Sequence, residues 1–405
     1  MDIEVIGTRG WSYAGHEDLI RELGPRFVRD GDTFTIHAWA TEETIAKGIT
    51  SDVIDGGVRR IFHSTREGKF SGQFFIAWKS SWAAARSNCD VIYCAFIQNG
   101  IYMWLPRLFG KRVLSNVDGM MWRDPKWPWG FRQVFFTVGA YLTRLFSNKT
   151  ITDSIHMQEL YRRKFHLNLD WAGYGCSAEL EPKRDIDLAQ EYPEGYYLIM
   201  SRITPHNLTD LLVEGFIKSG SPRQLLIAGH LPESDWFESL QQMAAGKRVR
   251  FLGLIKDQEY LTQVILNSRA YLHGHSLGGI NPALVRVTGL SVPVMCIDTI
   301  FNREVVEAPN HRLQAICFNR NSDDVARAIR EFEQNEAHRV AEAQSLGTKV
   351  RQTMSWDRIY DQYRTLLEGV APRNRPGRAI RRRDNARSVR PATSEYDPRR
   401  LQQDP

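Results

Sequence analysis

The sequence has no apolar run near the roughly twenty residues that a bilayer-crossing helix needs, which excludes a span of that kind. Cysteine is scarce: Cys89, Cys94, Cys176, Cys296 and Cys317 make an odd five, none in Cys-x-x-Cys spacing. Neither a disulfide framework nor a thiolate zinc site is expected. No basic-then-apolar leader opens the chain, so a reducing, cytoplasmic setting is expected. The glycines of the first loop do not supply the Gly-x-Gly-x-x-Gly spacing of a dinucleotide fingerprint. What remains is ordinary globular material: 405 residues, 42% hydrophobic and 25% charged, enough for two cores.

The net charge of +6 would suit a polyanion partner if it were spread over the folded body. It is confined to one end. Residues 371–405 hold ten arginines, no lysine and four acids, and the rest of the chain balances 43 basic against 43 acidic residues. Specific nucleic-acid binding by the body is therefore not expected. The Arg-rich tail has too little apolar material to pack and is expected to be disordered, although its charge suits a nucleic-acid or an anionic lipid surface.

Short β-branched runs alternate with helix-length segments, the pattern of a parallel sheet covered on both faces. Strands are predicted at Asp2–Ile6, Phe34–Ala38, Val58–Phe62, Asp90–Ala95, Lys111–Asn116 and Lys149–Thr152. A second set falls at Tyr196–Met200, Gln224–Ala228, Val249–Leu252, Ala270–His273, Val292–Ile297 and Gln314–Phe318. A charged, turn-rich stretch at Ser177–Gly195 separates the halves. Helices are predicted at Asp323–Glu333, from about Asn335, and from Ser355 to about Glu368. The expected division is an N-terminal domain at 1–176, a C-terminal domain at 177–354, a final helix at 355–370 and a tail at 371–405.

Two segments stand out chemically. Ile6-Gly-Thr-Arg-Gly-Trp-Ser-Tyr-Ala-Gly-His-Glu links the first strand to a helix, either as a ligand loop or as a plain turn. His273-Gly-His-Ser-Leu-Gly-Gly-Ile-Asn-Pro-Ala-Leu follows a strand, and Asn281-Pro282 is a helix start in which Asn caps and Pro takes the first turn. Free amides at Ala283 and Leu284 would offer an electropositive cradle for a diphosphate. A zinc site at His273 and His275 lacks a third ligand, and polar contacts to a sugar suit these residues better.

The pattern His-Gly-His-Ser-Leu-Gly-Gly-Ile-Asn-Pro, followed by Asp298-Thr-Ile-Phe-Asn-Arg-Glu-Val, resembles the donor domain of family 4 glycosyltransferases of the GT-B fold. It looks closest to the branch containing bacterial rhamnosyltransferases. Asn116-Val-Asp-Gly-Met-Met-Trp-Arg-Asp-Pro, Gly173-Tyr-Gly, Phe251-Leu-Gly-Leu-Ile and Ser355-Trp-Asp-Arg-Ile-Tyr agree with it. The fold class implied is α/β, with two Rossmann-like doubly wound domains facing across a cleft and a C-terminal helix crossing back to the first.

The activity implied is retaining, metal-independent transfer of a hexose or deoxyhexose from a nucleoside-diphosphate sugar to a saccharide or lipid-linked acceptor, without a cofactor. By position, Arg202 matches the diphosphate-binding arginine. Gly10, His273, His275, Ser276, Gly278, Gly279, Asn281, Pro282, Ala283, Leu284 and Arg286 fall at donor-binding positions. Two glutamates of the common pattern are replaced by Gly278 and Arg286. The second change removes an acceptor for ribose hydroxyls, because a guanidinium only donates. A partner lysine is likewise replaced near Asn207. These departures support a rival reading, a catalytically silent saccharide-binding or scaffold paralogue.

In the first domain, Asp118 suits orientation or deprotonation of an acceptor hydroxyl, or else caps the next helix. Arg9, His16 and Glu17 are candidate acceptor contacts, with helix capping the plainer role for Glu17. Trp122, Trp127, Trp129, Phe131, Phe135, Phe136, Tyr141 and Phe146 crowd one segment with Arg123, Lys126, Arg132 and Arg144. That composition fits the headgroup boundary, so peripheral contact with the inner face of the membrane is expected. Phe131, Phe135, Val138 and Leu142 keep helical spacing and are expected on a buried face.

Overall fold

The computed structural model describes residues 1–372 except 9, 11–15, 65–70, 118, 124–127, 178–187, 277 and 309–311. The Arg-rich tail, Arg9 and Asp118 therefore lie outside the described residues. The chain divides into a first unit, Met1–Tyr174 with the segment beginning at Trp356, and a second unit, Gly175–Ser355.

Strands of the first unit are β1 (Asp2–Ile6), β2 (Thr33–Trp39), β3 (Ser51–Ile54), β4 (Val58–His63), β5 (Val91–Ala95), β6 (Arg112–Asn116), β7 (Lys149–Thr152) and β8 (Asp170–Trp171). Its helices are α1 (His16–Arg29), α2 (Glu42–Ala46), α3 (Ser71–Arg86), α4 (Trp104–Leu108), α5 (Trp129–Phe146) and α6 (Ile155–Phe165). The sheet order is β3-β4-β2-β1-β5-β6-β7-β8, and every pairing is parallel except β3 with β4.

The second unit holds β9 (Tyr196–Met200), β10 (Gln224–Ala228), β11 (Val249–Gly253), β12 (Ala270–His273), β13 (Val294–Ile297) and β14 (Ile316–Phe318). Between and after them run α7 (Leu188–Glu191), α8 (Thr209–Ser219), α9 (Asp235–Ala244), α10 (Gln258–Leu266), α11 (Pro282–Gly289), α12 (Ile300–Val306), α13 (Ser322–Gln334) and α14 (Glu336–Thr353). Its order, β11-β10-β9-β12-β13-β14, is wholly parallel. In each sheet the first strand sits centrally and the order reverses beside it, between β1 and β5 and between β9 and β12. Both units are thus doubly wound, Rossmann-like sheets.

The two faces of the first sheet are covered differently. Ile3 and Val5 pack with Leu19, Leu23 and Phe27 of α1. Into that same core comes the last helix, α15 (Trp356–Val370), through Ile359, Tyr360, Tyr363, Leu366, Leu367 and Val370. The alternate residues Ile6, Ile92 and Cys94 face the other way, onto Ala84 of α3, Met103, and Phe146 of α5. In the second unit, β-strand residues such as Ile199, Ile227 and Leu272 pack against Leu212 and Phe216 of α8 and against Ile329 and Phe332 of α13.

Helix α5 is rotated relative to the sequence expectation. Its buried residues are Phe136, Gly139, Ala140 and Thr143, while Phe131 and Val138 are exposed and Phe135 and Leu142 only half-buried. The cause is a close approach to the 3-10 turn Ile97–Tyr102. A Cβ on Gly139 would lie 3.0 Å from the Ile97 carbonyl oxygen, and one on Gly100 would lie 2.7 Å from the Gly139 carbonyl oxygen. Small residues must line such a contact, so the large apolar ones are turned outward.

Candidate functional site

Doubly wound sheets take ligands outside the carboxyl ends of their strands at the switch point. In the second unit that place is formed by the loop after β9 and the turn after β12, which carry Arg202 and His273–His275. Arg202 is exposed, and its guanidinium holds no ion pair among the described residues. Its backbone is pinned: the Asn207 side-chain amide donates to the Arg202 carbonyl oxygen at 2.7 Å. Because that amide nitrogen is so engaged, the Asn207 side-chain oxygen faces His275, whose Nδ1 lies 2.9 Å away and donates to it. The Asn302 amide reaches the His275 carbonyl oxygen at 3.2 Å. Gly274 makes this packing possible, since a Cβ there would stand 2.3 Å from the Asn207 carbonyl oxygen.

His273 is buried at the end of β12. The Tyr271 hydroxyl donates to the Met200 carbonyl oxygen at 3.0 Å and accepts from His273 Nδ1 at 3.0 Å. That fixes the neutral tautomer with Nε2 as an acceptor, and Nε2 has no partner among the described residues. Burial, helped by the neighbouring His275, pulls the His273 pKa down to about 3. A buried, orphaned acceptor at a switch point matches a ligand hydroxyl.

The following turn corrects two expectations. Asn281 caps α11 by accepting from the Ala283 amide at 2.9 Å, so this amide is not free for a diphosphate. Arg286, half-buried on α11, donates to the Gln258 side chain at 2.8 Å and to the Thr262 hydroxyl at 3.0 Å. Its guanidinium ties α11 to α10 rather than waiting for a ribose. Pro282 takes the first helical position, Leu284 is buried, and Ser276 is half-buried. Gly278 and Gly279 adopt positive φ of 35° and 84°.

In the first unit, Gly10 (φ 117°) lies in the loop after β1, packed on Ala38. His16 opens α1 and is only 2% exposed. The Tyr93 hydroxyl accepts from Asn116 at 3.0 Å and donates to His16 Nε2 at 2.8 Å, and His16 Nδ1 donates to the Tyr174 hydroxyl at 3.3 Å. Both ring nitrogens are therefore engaged and burial holds the pKa down at about 3. This corrects the expectation of a direct acceptor contact through its ring nitrogens: His16 is held between two tyrosines and stacked on Tyr93. Glu17 is also buried, in the first turn of α1. Thr8 Oγ1 and Gln98 Oε1, just past β1 and β5, and Asn116 Oδ1, on the last residue of β6, are buried without partners among the described residues.

Sequence reasoning missed Tyr93, Tyr174, Tyr271 and Asn302. Tyr93 and Tyr271 stand inside the buried, mostly apolar strands β5 and β12, where a hydroxyl needs a partner, and that was the available signal; Tyr174, after β8, and Asn302, on α12, carry no such strand signal. Among the described residues no group of His, Cys, Asp and Glu is placed to hold a metal ion.

Comparison with known proteins fits this architecture. Sucrose-phosphate synthase from Thermosynechococcus elongatus superposes with a TM-score of 0.76 at 16% identity, covering 91% of this chain and 98% of its own. HepE from Anabaena, solved with UDP and glucose, gives 0.73 at 15% identity, covering 91% and 99%. The UDP-forming α,α-trehalose-phosphate synthase of Burkholderia vietnamiensis gives 0.68 at 10%, covering 91% and 100%. The chain has the GT-B fold, as its sequence led us to expect. Residues 184–352, within the second unit, match the family model for glycosyl transferases group 1. No curated protein sequence matches the chain.

Proposed function

We propose that the protein is a glycosyltransferase that moves a hexose or deoxyhexose, rhamnose among them, from a nucleoside-diphosphate sugar to a saccharide acceptor. The acceptor we assign is a lipid-linked precursor of a surface polysaccharide, met at the cytoplasmic face of the membrane. The observation that carries the reading is the Arg202 loop, pinned through Asn207 to the His-Gly-His turn at the switch point of the second sheet.

Arg202 offers a fork of donors to phosphate oxygens and stabilises the negative charge of the departing diphosphate. His273 Nε2 accepts from a sugar hydroxyl, and its neutrality at physiological pH keeps it an acceptor. Positioning plus charge stabilisation is sufficient for transfer without a metal ion, and the anomeric configuration is proposed to be retained. On the first unit, Arg9, Glu17 and Asp118 are assigned to the acceptor, with Asp118 orienting its hydroxyl.

HepE binds UDP and the Burkholderia synthase forms it, which makes UDP the first nucleotide to test. Calorimetry with a panel of nucleoside diphosphates is expected to detect binding, and Arg202→Ala is expected to weaken it by about tenfold or more, as loss of charge-assisted hydrogen bonds does. An exposed side chain can be truncated without disturbing the core, so unchanged affinity would remove Arg202 from the site. The engagement of Arg286 with α10 favours one rival, a saccharide-binding scaffold; absence of binding to every nucleotide would select it.

A further inference from the structure

We propose that the outward face of α3, α4 and α5 seats the first unit on an anionic lipid surface. The inference rests on the membrane part of the function proposed above and says where that contact is made. Of the 18 large apolar side chains exposed among the described residues, 12 lie on these helices or directly after α4, whereas the whole second unit has three. A cluster so concentrated marks an interaction surface rather than ordinary surface composition.

On α3, Phe75, Trp78 and Trp82 form one stripe. Trp78 lies with its ring 6.4 Å from Trp82 and 6.3 Å from Trp104 of α4, and Trp82 lies 5.9 Å from Phe109. Along α5, Phe131, Val134, Val138, Tyr141 and Leu145 repeat at helical spacing on the exposed side, while Gly139, Ala140 and Thr143 face inward. A helix bathed in water arranges its residues the other way round. Tryptophan and tyrosine, with an apolar body and a polar edge, suit the level of lipid headgroups.

Charge decides the occupant. No Asp or Glu occurs in α3, α4 or α5, and Arg86 and Arg144 are exposed at the carboxyl-terminal ends of α3 and α5, Arg86 standing 5.7 Å from the Trp82 ring. A second copy of this chain docked through the same patch would bring cations onto cations. An anionic bilayer supplies both apolar depth and opposite charge.

The test uses the full chain in flotation with phosphatidylcholine vesicles, with and without phosphatidylglycerol. Leu108→Glu with Leu145→Glu alters side chains that are 73% and 69% exposed, and Val53→Glu, at a 68% exposed position on β3, is the control. Wild type and control are expected to float with the anionic vesicles, and the double variant to partition about tenfold or more weakly. Quenching of wild-type tryptophan fluorescence by brominated lipid supports the same contact independently of variant folding. If the double variant floats like wild type while removal of residues 371–405 abolishes flotation, this surface is wrong and the membrane reading survives. If the wild type is a dimer that the double variant dissociates, this surface is wrong; if it floats with neither vesicle, the membrane reading falls with it, and nucleotide calorimetry still judges the transferase reading.

Discussion

Burial lowers the pKa of His16, His63 and His156 in the first unit and of His273 in the second, most strongly for His16 and His273. His16 and His273 each have a folded pKa of about 3, against about 6.5 in the unfolded chain. Between those values the unfolded state binds more protons, so stability is complete above about pH 6.5 and is lost as pH falls. From pH 7 to pH 5.5 each of these two is expected to remove about 1 kcal/mol. Thermal denaturation across that range should show both units losing stability; a His16→Gln variant should lose less of it in the first unit. An equal loss in variant and wild type would place the pH sensitivity elsewhere. The residue scale is also where the sequence was hardest to read. Nothing in the letters says that Asn281 keeps the Ala283 amide for itself, or that Arg286 turns to Gln258 and Thr262, because a flexible side chain chooses among partners brought near by the fold.

At the level of elements the sequence was more transparent. All twelve anticipated strands form, since buried parallel strands are written as nearly continuous apolar runs. Among the described residues the two that escaped are β3, a half-exposed edge strand reading Ser-Asp-Val-Ile, and the two-residue β8. Neither contains enough apolar sequence to register as a strand. Helix α5 was recognised as a helix but assigned the wrong face, because spacing shows which residues share a side and not which side is inside. Small residues decide it here. Gly139→Leu is expected to destabilise the first unit by about 1–3 kcal/mol through overpacking against Ile97, whereas Val134→Ser on the opposite side should leave the melting temperature nearly unchanged. A neutral Gly139→Leu would show that the contact relaxes without strain.

Across the whole molecule, α15 is far from α1 in sequence yet shares its core. Six apolar side chains of α15 are buried there, worth on the order of 10 kcal/mol before the entropy of ordering the helix, which is comparable to the net stability of a domain. A chain ending at Ser355 is accordingly expected to lose the thermal transition of the first unit while that of the second persists; retention of both would contradict the packing. There is also a consequence for how the protein is born. The ribosome releases α15 only after the whole second unit has been made, so the half made first must wait, its greasy flank uncovered, while the half made later already has everything it requires.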